Sequence, residues 1–178
     1  MTQAEVDEFW MKRALELAKN AQYAGEIPVG ALLVKDNQLI ASGWNRSIES
    51  HDPTAHAEIM VLQQGGRALS NYRLLDTTLY VTLEPCIMCA GALVHSRIGR
   101  LVYGARDFKT GACGSFINIL ERPGLNHYVD VKGGVLEETC SAMLSNFFKM
   151  RRAQKKAQKQ MLAQTEGECG GCQQQKSP

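Results

Sequence analysis

The chain has 178 residues, of which 44% are hydrophobic, and its 20 basic and 18 acidic residues give a net charge of +2. This length and composition predict one globular domain with a buried core, and the small net charge does not by itself indicate a nucleic-acid partner. No stretch approaches the ~20 consecutive apolar residues of a membrane span, so we expect no membrane association.

The cysteine content and the start of the chain indicate the compartment. The chain has six cysteines, and its first eight residues hold three acidic and no basic residues, which is not the pattern of a secretory signal. In a reducing compartment such cysteines serve as metal ligands or small core residues rather than as disulfides. We therefore expect a cytoplasmic protein.

The first elements in chain order are a helix and a hairpin. Apolar residues recur at three- and four-residue intervals from Val6 to Ala21, which predicts an amphipathic helix ending near Gly25. Two apolar-rich runs, Val29 to Val34 and Gln38 to Trp44, flank the turn composition Lys35-Asp36-Asn37. This arrangement predicts a β-hairpin.

The middle of the chain predicts two helices that begin at one end of a sheet. The first has Thr54 as its expected N-cap and stops at Gly65-Gly66. Thr77 to Leu83 is a β-rich run that leads directly into the second helix, which continues to about Ser96, and Leu101 to Ala105 forms the next strand. Strand, helix and strand in this order imply a right-handed crossover between parallel neighbours. Both helices then start at the end of the sheet where α/β proteins place their sites.

The last third contains a loop, a strand, a helix and a tail. Arg106 to Gly114 has few core candidates and is predicted to be a surface loop beside the site. Tyr128 to Val131 predicts a short last strand, and a final helix starts near Leu136. We expect the globular domain to cover residues 1–160 and a flexible polar tail to cover 161–178, because the tail cannot bury enough apolar surface to order itself. Its cysteines, Cys169 and Cys172, are interpreted as an incidental thiol pair, with metal or redox binding as the alternative.

Three side chains on the two central helices predict a zinc site with one open position. Cys86 and Cys89 are three residues apart and share a helix face, and His56 supplies an imidazole. Three protein ligands plus a water make a catalytic zinc site, whereas four protein ligands make a structural one. Glu58 is left over, and it can face the same centre as His56 only near a helix start, because residues two apart on a helix point in very different directions.

Each part of this pattern has a less specific interpretation. A lone C-x-x-C in a cytosolic protein can be a redox dithiol, and a lone histidine is most often a core or surface residue. Together, however, the residues match H-x-E…P-C-x-x-C, the signature of zinc nucleobase deaminases. The combined pattern therefore favours a metal site over a redox dithiol and an unrelated histidine.

A basic segment follows the last apolar stripe. Six basic residues and no acidic one lie between 149 and 159, which leaves 14 basic against 18 acidic residues elsewhere. Such a segment can be an electrostatic footprint for phosphates. It can equally be a solvated helix end whose cations complement the helix dipole. The spacing alone does not decide between these two interpretations.

The chain resembles the bacterial tRNA-specific adenosine deaminases over nearly all of its length up to about Arg152. The zinc motif alone would indicate only the wider superfamily, which includes cytidine, deoxycytidylate and guanine deaminases. The resemblance depends on the runs Ile27-Pro28-Val29-Gly30-Ala31, Gly43-Trp44-Asn45, His51-Asp52-Pro53-Thr54-Ala55-His56-Ala57-Glu58, Leu83-Glu84-Pro85-Cys86 and Tyr103-Gly104-Ala105-Arg106-Asp107.

The resemblance implies a fold, a reaction and a set of partners. The fold is a three-layer α/β/α sandwich with a mixed five-stranded sheet, and the reaction is hydrolysis of adenosine to inosine in the anticodon stem-loop of tRNA by a homodimer. One zinc per subunit is held by His56, Cys86 and Cys89, and Glu58 transfers protons. The nucleoside is bound by Asn45 and by the Ala57 amide. The phosphate interpretation of the basic segment is favoured, with contacts from Arg151, Arg152, Lys155, Lys156 and Lys159.

Two further residues are predicted to contact substrate. Phe147 and Phe148 cannot both face the core, and we assign Phe148 to the substrate channel. Asp107 is an acid beside a site that receives a polyanion, so we predict that it accepts a hydrogen bond from a ribose 2′-hydroxyl. The alternative is an aspartate that caps its own turn. Alternatives for the whole protein are a deaminase of free guanine or cytosine compounds and a zinc-stabilised RNA-binding module without catalysis.

Overall fold

The computed structural model describes residues 1–169. The backbone separates into a first unit, Met1–Leu144, and a second unit that begins at Ser145. Nine elements are described: α1 Gln3–Tyr23, β1 Gly30–Lys35, β2 Gln38–Trp44, α2 Ala57–Ala68, β3 Thr77–Leu83, α3 Ile87–Ser96, β4 Arg100–Ala105, β5 Asp130–Lys132 and α4 Glu137–Cys169.

The five strands form one mixed sheet in the order β2-β1-β3-β4-β5. β1 pairs antiparallel with both β2 and β3, whereas β3, β4 and β5 run parallel. The β1–β2 turn has Asp36 and Asn37 at φ 49° and 59°, the left-handed values that a tight hairpin turn requires. The predicted hairpin and the predicted mixed five-stranded sheet are confirmed.

The two faces of the sheet carry separate apolar layers, because alternate residues of a strand point to opposite faces. In β1, Leu33 packs in the layer shared with α2 and α3, whereas Leu32 and Val34 pack in the layer shared with α1. In β3, Leu79 and Tyr80 divide in the same way. The helices thus cover both faces, as the three-layer prediction required.

A partly buried ion pair joins α1 to the sheet at the amino end of β4. Asp7 is 2% exposed and accepts two hydrogen bonds from Arg100, at 2.7 and 2.9 Å, and one from the Tyr80 hydroxyl at 3.1 Å. Burial opposes ionisation of Asp7, but the hydrogen bonds from Arg100 and its other partners hold its pKa below the usual value. Removing either partner of such a pair leaves an uncompensated charge, so this contact fixes the position of α1.

The opposite end of the sheet collects the segments that carry chemistry. Because β3 and β4 are parallel, Glu84 and Arg106 follow their carboxyl ends side by side. β1 is antiparallel to β3, so Val29 and Asn45, at the outer ends of the hairpin, lie at this same edge. Both α2 and α3 begin here, as predicted. Among the residues described, no helix is long and apolar enough to span a membrane.

Several predicted details differ from the structure. Helix α2 was predicted to stop at Gly65-Gly66, but it continues through both glycines to Ala68. The last strand is Asp130–Lys132 rather than Tyr128 to Val131. The loop after β4 was predicted to hold few core residues, but its Gly111, Ala112 and Cys113 are buried because the chain folds back against Pro85 and Cys86, directly before α3. Helix α4 continues to Cys169, so the described part of the predicted tail, 161–169, is helical. Cys172 lies outside the described residues.

Candidate active site

His56, Cys86 and Cys89 converge where α2 and α3 begin. The Cys86 and Cys89 sulfurs lie 3.7 and 3.6 Å from His56 Nδ1, and the three ligand atoms lie within 4.8 Å of one another. Zn–S bonds of ~2.3 Å and Zn–N bonds of ~2.0–2.1 Å in a tetrahedron place sulfur and nitrogen about 3.6 Å apart. The three side chains therefore fit a zinc ion without rearrangement.

The ligands occupy the first positions of their helices. His56 is the N-cap residue of α2 and Cys86 is the N-cap residue of α3, and neither side chain makes a capping hydrogen bond. Thr54 was predicted to cap α2, and this was wrong: its hydroxyl donates to Asp52 at 2.7 Å in the preceding turn. The side chains that would otherwise cap both helices are thus directed to the metal site.

The two thiols have opposite acidities. A hydrogen bond from Cys89 and the nearby His56 lower the pKa of Cys86 to about 4, against the opposing effect of burial. The hydrogen bond to Cys86, together with burial, raises the pKa of Cys89. A thiolate is the form that binds metal, and the amino end of a helix favours it. Cys86 is therefore ready to act as a ligand.

Glu58 lies in the first turn of α2 and is only 4% exposed. Burial raises the pKa of its carboxyl group, an effect that its own backbone, His56 and Cys89 partly offset. The group of ligand atoms contains His56, Cys86 and Cys89 but no carboxylate among the described residues. Glu58 is thus a buried carboxyl next to the metal ligands without being one of them, which is the environment of a proton-transfer group.

Asn45 connects the end of β2 to the start of α2. Its Oδ1 accepts from the Ala57 amide at 2.8 Å, and its Nδ2 donates to the Ile27 carbonyl at 3.2 Å. Asn45 therefore satisfies one of the free amides at the start of α2, a capping contact made from twelve residues away. Its predicted contact with the nucleoside, and that of Ala57, stay predictions.

Two buried carboxylates beside the site were not predicted from the sequence. Glu26 is 2% exposed and its Oε1 accepts from the Ile48 and Glu49 amides, both at 2.8 Å. Glu84 is also 2% exposed and accepts from the amides of Asp107, Cys113 and Ser115 at 3.0–3.1 Å. In the sequence, Glu26 directly precedes the apolar run that starts at Ile27, and Glu84 directly precedes Pro85-Cys86. Their hydrogen-bond partners lie in loops that are distant in sequence.

Asp107 caps its own turn. Its Oδ1 accepts from the Lys109 and Thr110 amides at 2.9 and 3.1 Å, and its Oδ2 accepts from the Thr110 hydroxyl at 2.7 Å. Burial opposes ionisation, but these hydrogen bonds hold the pKa of Asp107 below its usual value. These are the contacts of the capping alternative, and the predicted contact with a ribose hydroxyl stays a prediction.

The remaining predicted site residues belong to the second unit. Phe148 is 42% exposed and meets Phe147 edge to face with ring centroids 5.6 Å apart. The basic residues Arg151, Arg152, Lys155, Lys156 and Lys159 are all exposed on α4. Arg152, Lys155, Lys156 and Lys159 follow the three- and four-residue spacing that places side chains on one helix face.

The fold and the site define a class of protein. The family model of the cytidine and deoxycytidylate deaminase zinc-binding region matches residues 4–105. The described ligand set and this match together identify the cofactor as zinc, with one ion per subunit.

Relatives within this class narrow the assignment. A tRNA-specific adenosine deaminase of Haemophilus influenzae is 56% identical over 160 residues, which cover 89% of this chain and 92% of the relative. The tRNA-specific adenosine deaminase of Bacillus subtilis is 46% identical over 158 residues, covering 89% and 98%. The chain belongs to the family of tRNA-specific adenosine deaminases.

Solved structures give the same result and show the breadth of the fold. A structure from a study of A-to-I editing by tRNA:A34 deaminases at the wobble position of transfer RNA has a TM-score of 0.74 and 44% identity, covering 76% of this chain and 99% of that one. The guanine deaminase of Nitrosomonas europaea has a TM-score of 0.68 and 28% identity, covering 79% and 83%.

Proposed function

We propose that this protein catalyses the hydrolytic deamination of adenosine to inosine at the wobble position of the tRNA anticodon, with release of ammonia. The observation that carries the proposal is a metal site with three protein ligands and an adjacent buried carboxyl, Glu58, in a chain 56% identical to a tRNA-specific adenosine deaminase. Within residues 1–169 no fourth protein ligand joins this group, and the carboxyl of Glu58 lies outside it; both observations disfavour a purely structural zinc module.

The ligands and the helix starts prepare the site for hydrolysis. His56, Cys86 and Cys89 hold zinc, which when bound polarises water so that hydroxide is available near neutral pH. Asn45 and Ala57, which are joined by a hydrogen bond at the start of α2, orient the nucleoside beside these ligands. The adenosine reaches them only when it leaves its stack, and an anticodon loop already has unpaired bases, which lowers that cost.

Glu58 moves the protons. As a general base it accepts a proton from water and passes it to N1 of adenine, which makes C6 more electrophilic. It then takes the proton of the hydroxyl group added at C6 and gives it to the departing amine, so that ammonia leaves and the C6 oxygen becomes a carbonyl. Burial raises the pKa of Glu58, which favours the protonated carboxyl after each proton is accepted and before it is passed on.

The competing function is deamination of a free nucleobase, because a guanine deaminase shares the fold at 28% identity. Wild-type protein incubated with an adenosine-containing anticodon stem-loop should form inosine and ammonia in equal amounts. Free guanine, adenosine and cytidine serve as the comparison substrates. If the protein deaminates free guanine but not the stem-loop, its substrate is a free nucleobase and the RNA assignment is wrong.

We also propose a homodimer and a cytoplasmic location. Both rest on the family resemblance, and tRNA is a cytoplasmic substrate in bacteria. Sedimentation equilibrium tests the first: the mass should be twice the 19.7 kDa of one chain. A single-chain mass at micromolar concentration would contradict it.

The basic face of α4 is proposed to meet RNA phosphates. Changing Lys155, Lys156 and Lys159 together to Gln should weaken stem-loop binding and flatten its salt dependence, by up to ~0.9 in slope for each phosphate of duplex-like RNA that the variant no longer neutralises. Binding measured from 50 to 300 mM salt checks this. The control changes Lys12 and Lys19, exposed lysines paired with Glu8 and Glu16 within α1. If the triple variant binds the stem-loop at low salt as tightly as wild type, these lysines do not contact phosphates and the segment is a solvated helix end.

Asp107→Asn separates the two roles weighed for this residue. Asn keeps an oxygen for the Lys109 and Thr110 amides, so the turn is retained while the charge beside the polyanion is removed. The deamination rate on an RNA hairpin, divided by the rate on the matched DNA hairpin, should therefore fall. Asp52→Asn is a matched control, because Asp52 caps a turn through Thr54 in the same manner. A purely capping Asp107 predicts an unchanged ratio with both activities intact.

A further inference from the structure

The loop after β4 presents a large aromatic side chain to solvent. Phe108 is 73% exposed, although it follows a strand whose last five residues, Leu101 to Ala105, are buried. Single exposed apolar residues are common on protein surfaces and need no explanation by themselves. Phe108 differs because of how firmly its loop is held and where the loop lies.

Glu84 fixes this loop to the segment that carries the metal ligands. Its carboxylate accepts from the amides of Asp107, Cys113 and Ser115, and so restrains the loop at both ends. Hydrogen bonds that backbone amides donate to a charged carboxylate are among the stronger ones in proteins. Because Glu84 is two residues from Cys86, the loop is positioned directly against the site.

The middle of the loop is packed against the same segment. Gly111 pairs with Cys86 in an antiparallel bridge, and the Ala112 amide donates to the Pro85 carbonyl at 2.8 Å. A Cβ at Gly111 would lie 2.6–2.7 Å from the Glu84 carboxylate, so a side chain there would displace the loop. Phe108 is therefore exposed on a loop that these contacts hold in place next to the site.

The exposed side chains of this loop are of the types that bind unpaired nucleic acid. Next to Asp107, which accepts hydrogen bonds within its own turn, the Phe108 side chain and the Lys109 side chain are both exposed. Proteins that bind single-stranded nucleic acid combine aromatic rings, on which bases stack, with cations that follow the phosphates. Phe108 is flanked in sequence by the charged residues Asp107 and Lys109, whereas the buried core of a protein interface is depleted of charged residues.

We propose that Phe108 is a specificity-determining residue that stacks on an unpaired base next to the target adenosine. This inference rests on the proposed function and extends it, because it assigns a contact to a flanking nucleotide rather than to the reacting one. The neighbouring bases must separate from the adenosine when it enters the site, and a fixed aromatic ring compensates one of them for the stacking it loses.

The test pairs a protein change with an RNA change. Binding of wild type, Phe108→Ala, Phe108→Leu and Phe108→Trp is measured on three stem-loops: intact, abasic on the 5′ side of the adenosine, and abasic on the 3′ side. On the intact stem-loop Phe108→Ala should bind roughly 5- to 150-fold more weakly, the range of base–aromatic stacking. On one of the abasic stem-loops this loss should shrink to about twofold or less, because the partner is already absent.

The control is Phe116→Ala, which removes an exposed phenylalanine, 61% accessible, from the same loop. It should not couple to either abasic site. Phe108→Trp should bind at least as tightly as wild type, and Phe108→Leu should resemble Phe108→Ala.

The outcomes separate this inference from the proposed function. An equal loss on all three stem-loops, no loss, or full retention by Phe108→Leu overturns the stacking role. If wild type binds the intact stem-loop but forms no inosine from it, the proposed function fails while the stacking result stands. If wild type does not bind the stem-loop, both are overturned.

Discussion

Glu58→Ala is expected to abolish turnover and leave zinc bound. The carboxyl is proposed to transfer protons, and it lies outside the group of ligand atoms formed by His56, Cys86 and Cys89. General acid–base groups typically contribute ~10²–10⁴-fold, so inosine formation in a single turnover should fall by about that factor. Zinc per chain, measured on the same preparation by plasma mass spectrometry, should be unchanged.

A second variant separates loss of the carboxyl group from the cavity that alanine leaves. Glu58→Gln keeps the volume of the buried side chain, so it should lose as much activity as Glu58→Ala without the cavity that alanine leaves. Glu49→Gln is the control, since Glu49 is a surface glutamate paired with Arg46. Loss of zinc together with activity in both Glu58 variants would make Glu58 a ligand and refute its assigned role.

The metal centre is the part of this protein that the sequence reveals most directly. Cys86 and Cys89 share a helix face because of their spacing alone, and His56 with Glu58 fits one centre only at a helix start. These constraints are local, so they hold whatever the remainder of the fold does. The structure places His56 at the N-cap and Glu58 in the first turn, where these local constraints required them.

The sheet could be predicted for a similar reason. Apolar alternation and the turn residues Asp36 and Asn37 define the hairpin, and the strand–helix–strand order of β3, α3 and β4 has one favoured handedness. Boundaries were less accurate at β5, a strand of three residues with little apolar pattern. Short edge strands depend on the neighbouring strand more than on their own sequence.

The contacts that surround the centre could not be predicted, because they join distant residues. Thr54 had the residue type of an N-cap, yet the Ala57 amide is satisfied by Asn45, twelve residues earlier. Glu84 contacts amides 23 to 31 residues further along the chain. Residue type indicates that a buried acid needs donors, but not which loop supplies them. For this reason the burial of residues 111–113 was also missed.

The cysteines differ in a way that makes the ligand assignment testable. Cys86 and Cys89 face His56, whereas Cys113 and Cys140 are buried elsewhere in the first unit. Burial raises the pKa of Cys113, and it raises the pKa of Cys140 to about 11. What separates the two pairs is geometry: among the described residues, only the Cys86 and Cys89 sulfurs converge with the His56 ring nitrogen. All four are small and poorly exposed, so alanine substitutions at the four positions form a matched set.

Cys86→Ala and Cys89→Ala should each lose zinc and activity together. Either change leaves two protein ligands where three are needed, so zinc per chain should fall from one toward zero and turnover by at least the ~10²–10⁴-fold expected for Glu58. Cys113→Ala and Cys140→Ala should retain both, although each loses some stability from its small cavity.

A chelator measurement shows whether the metal has gone from the folded state. A ligand that binds only the native state stabilises it, so chelation should lower the melting temperature of wild type, Cys113→Ala and Cys140→Ala. It should not change that of Cys86→Ala or Cys89→Ala, which have no zinc to lose. Retention of zinc by Cys86→Ala, or its loss from Cys113→Ala, would mean that the ligand set is not His56, Cys86 and Cys89. In that case the open position proposed for hydrolysis would have to be assigned again.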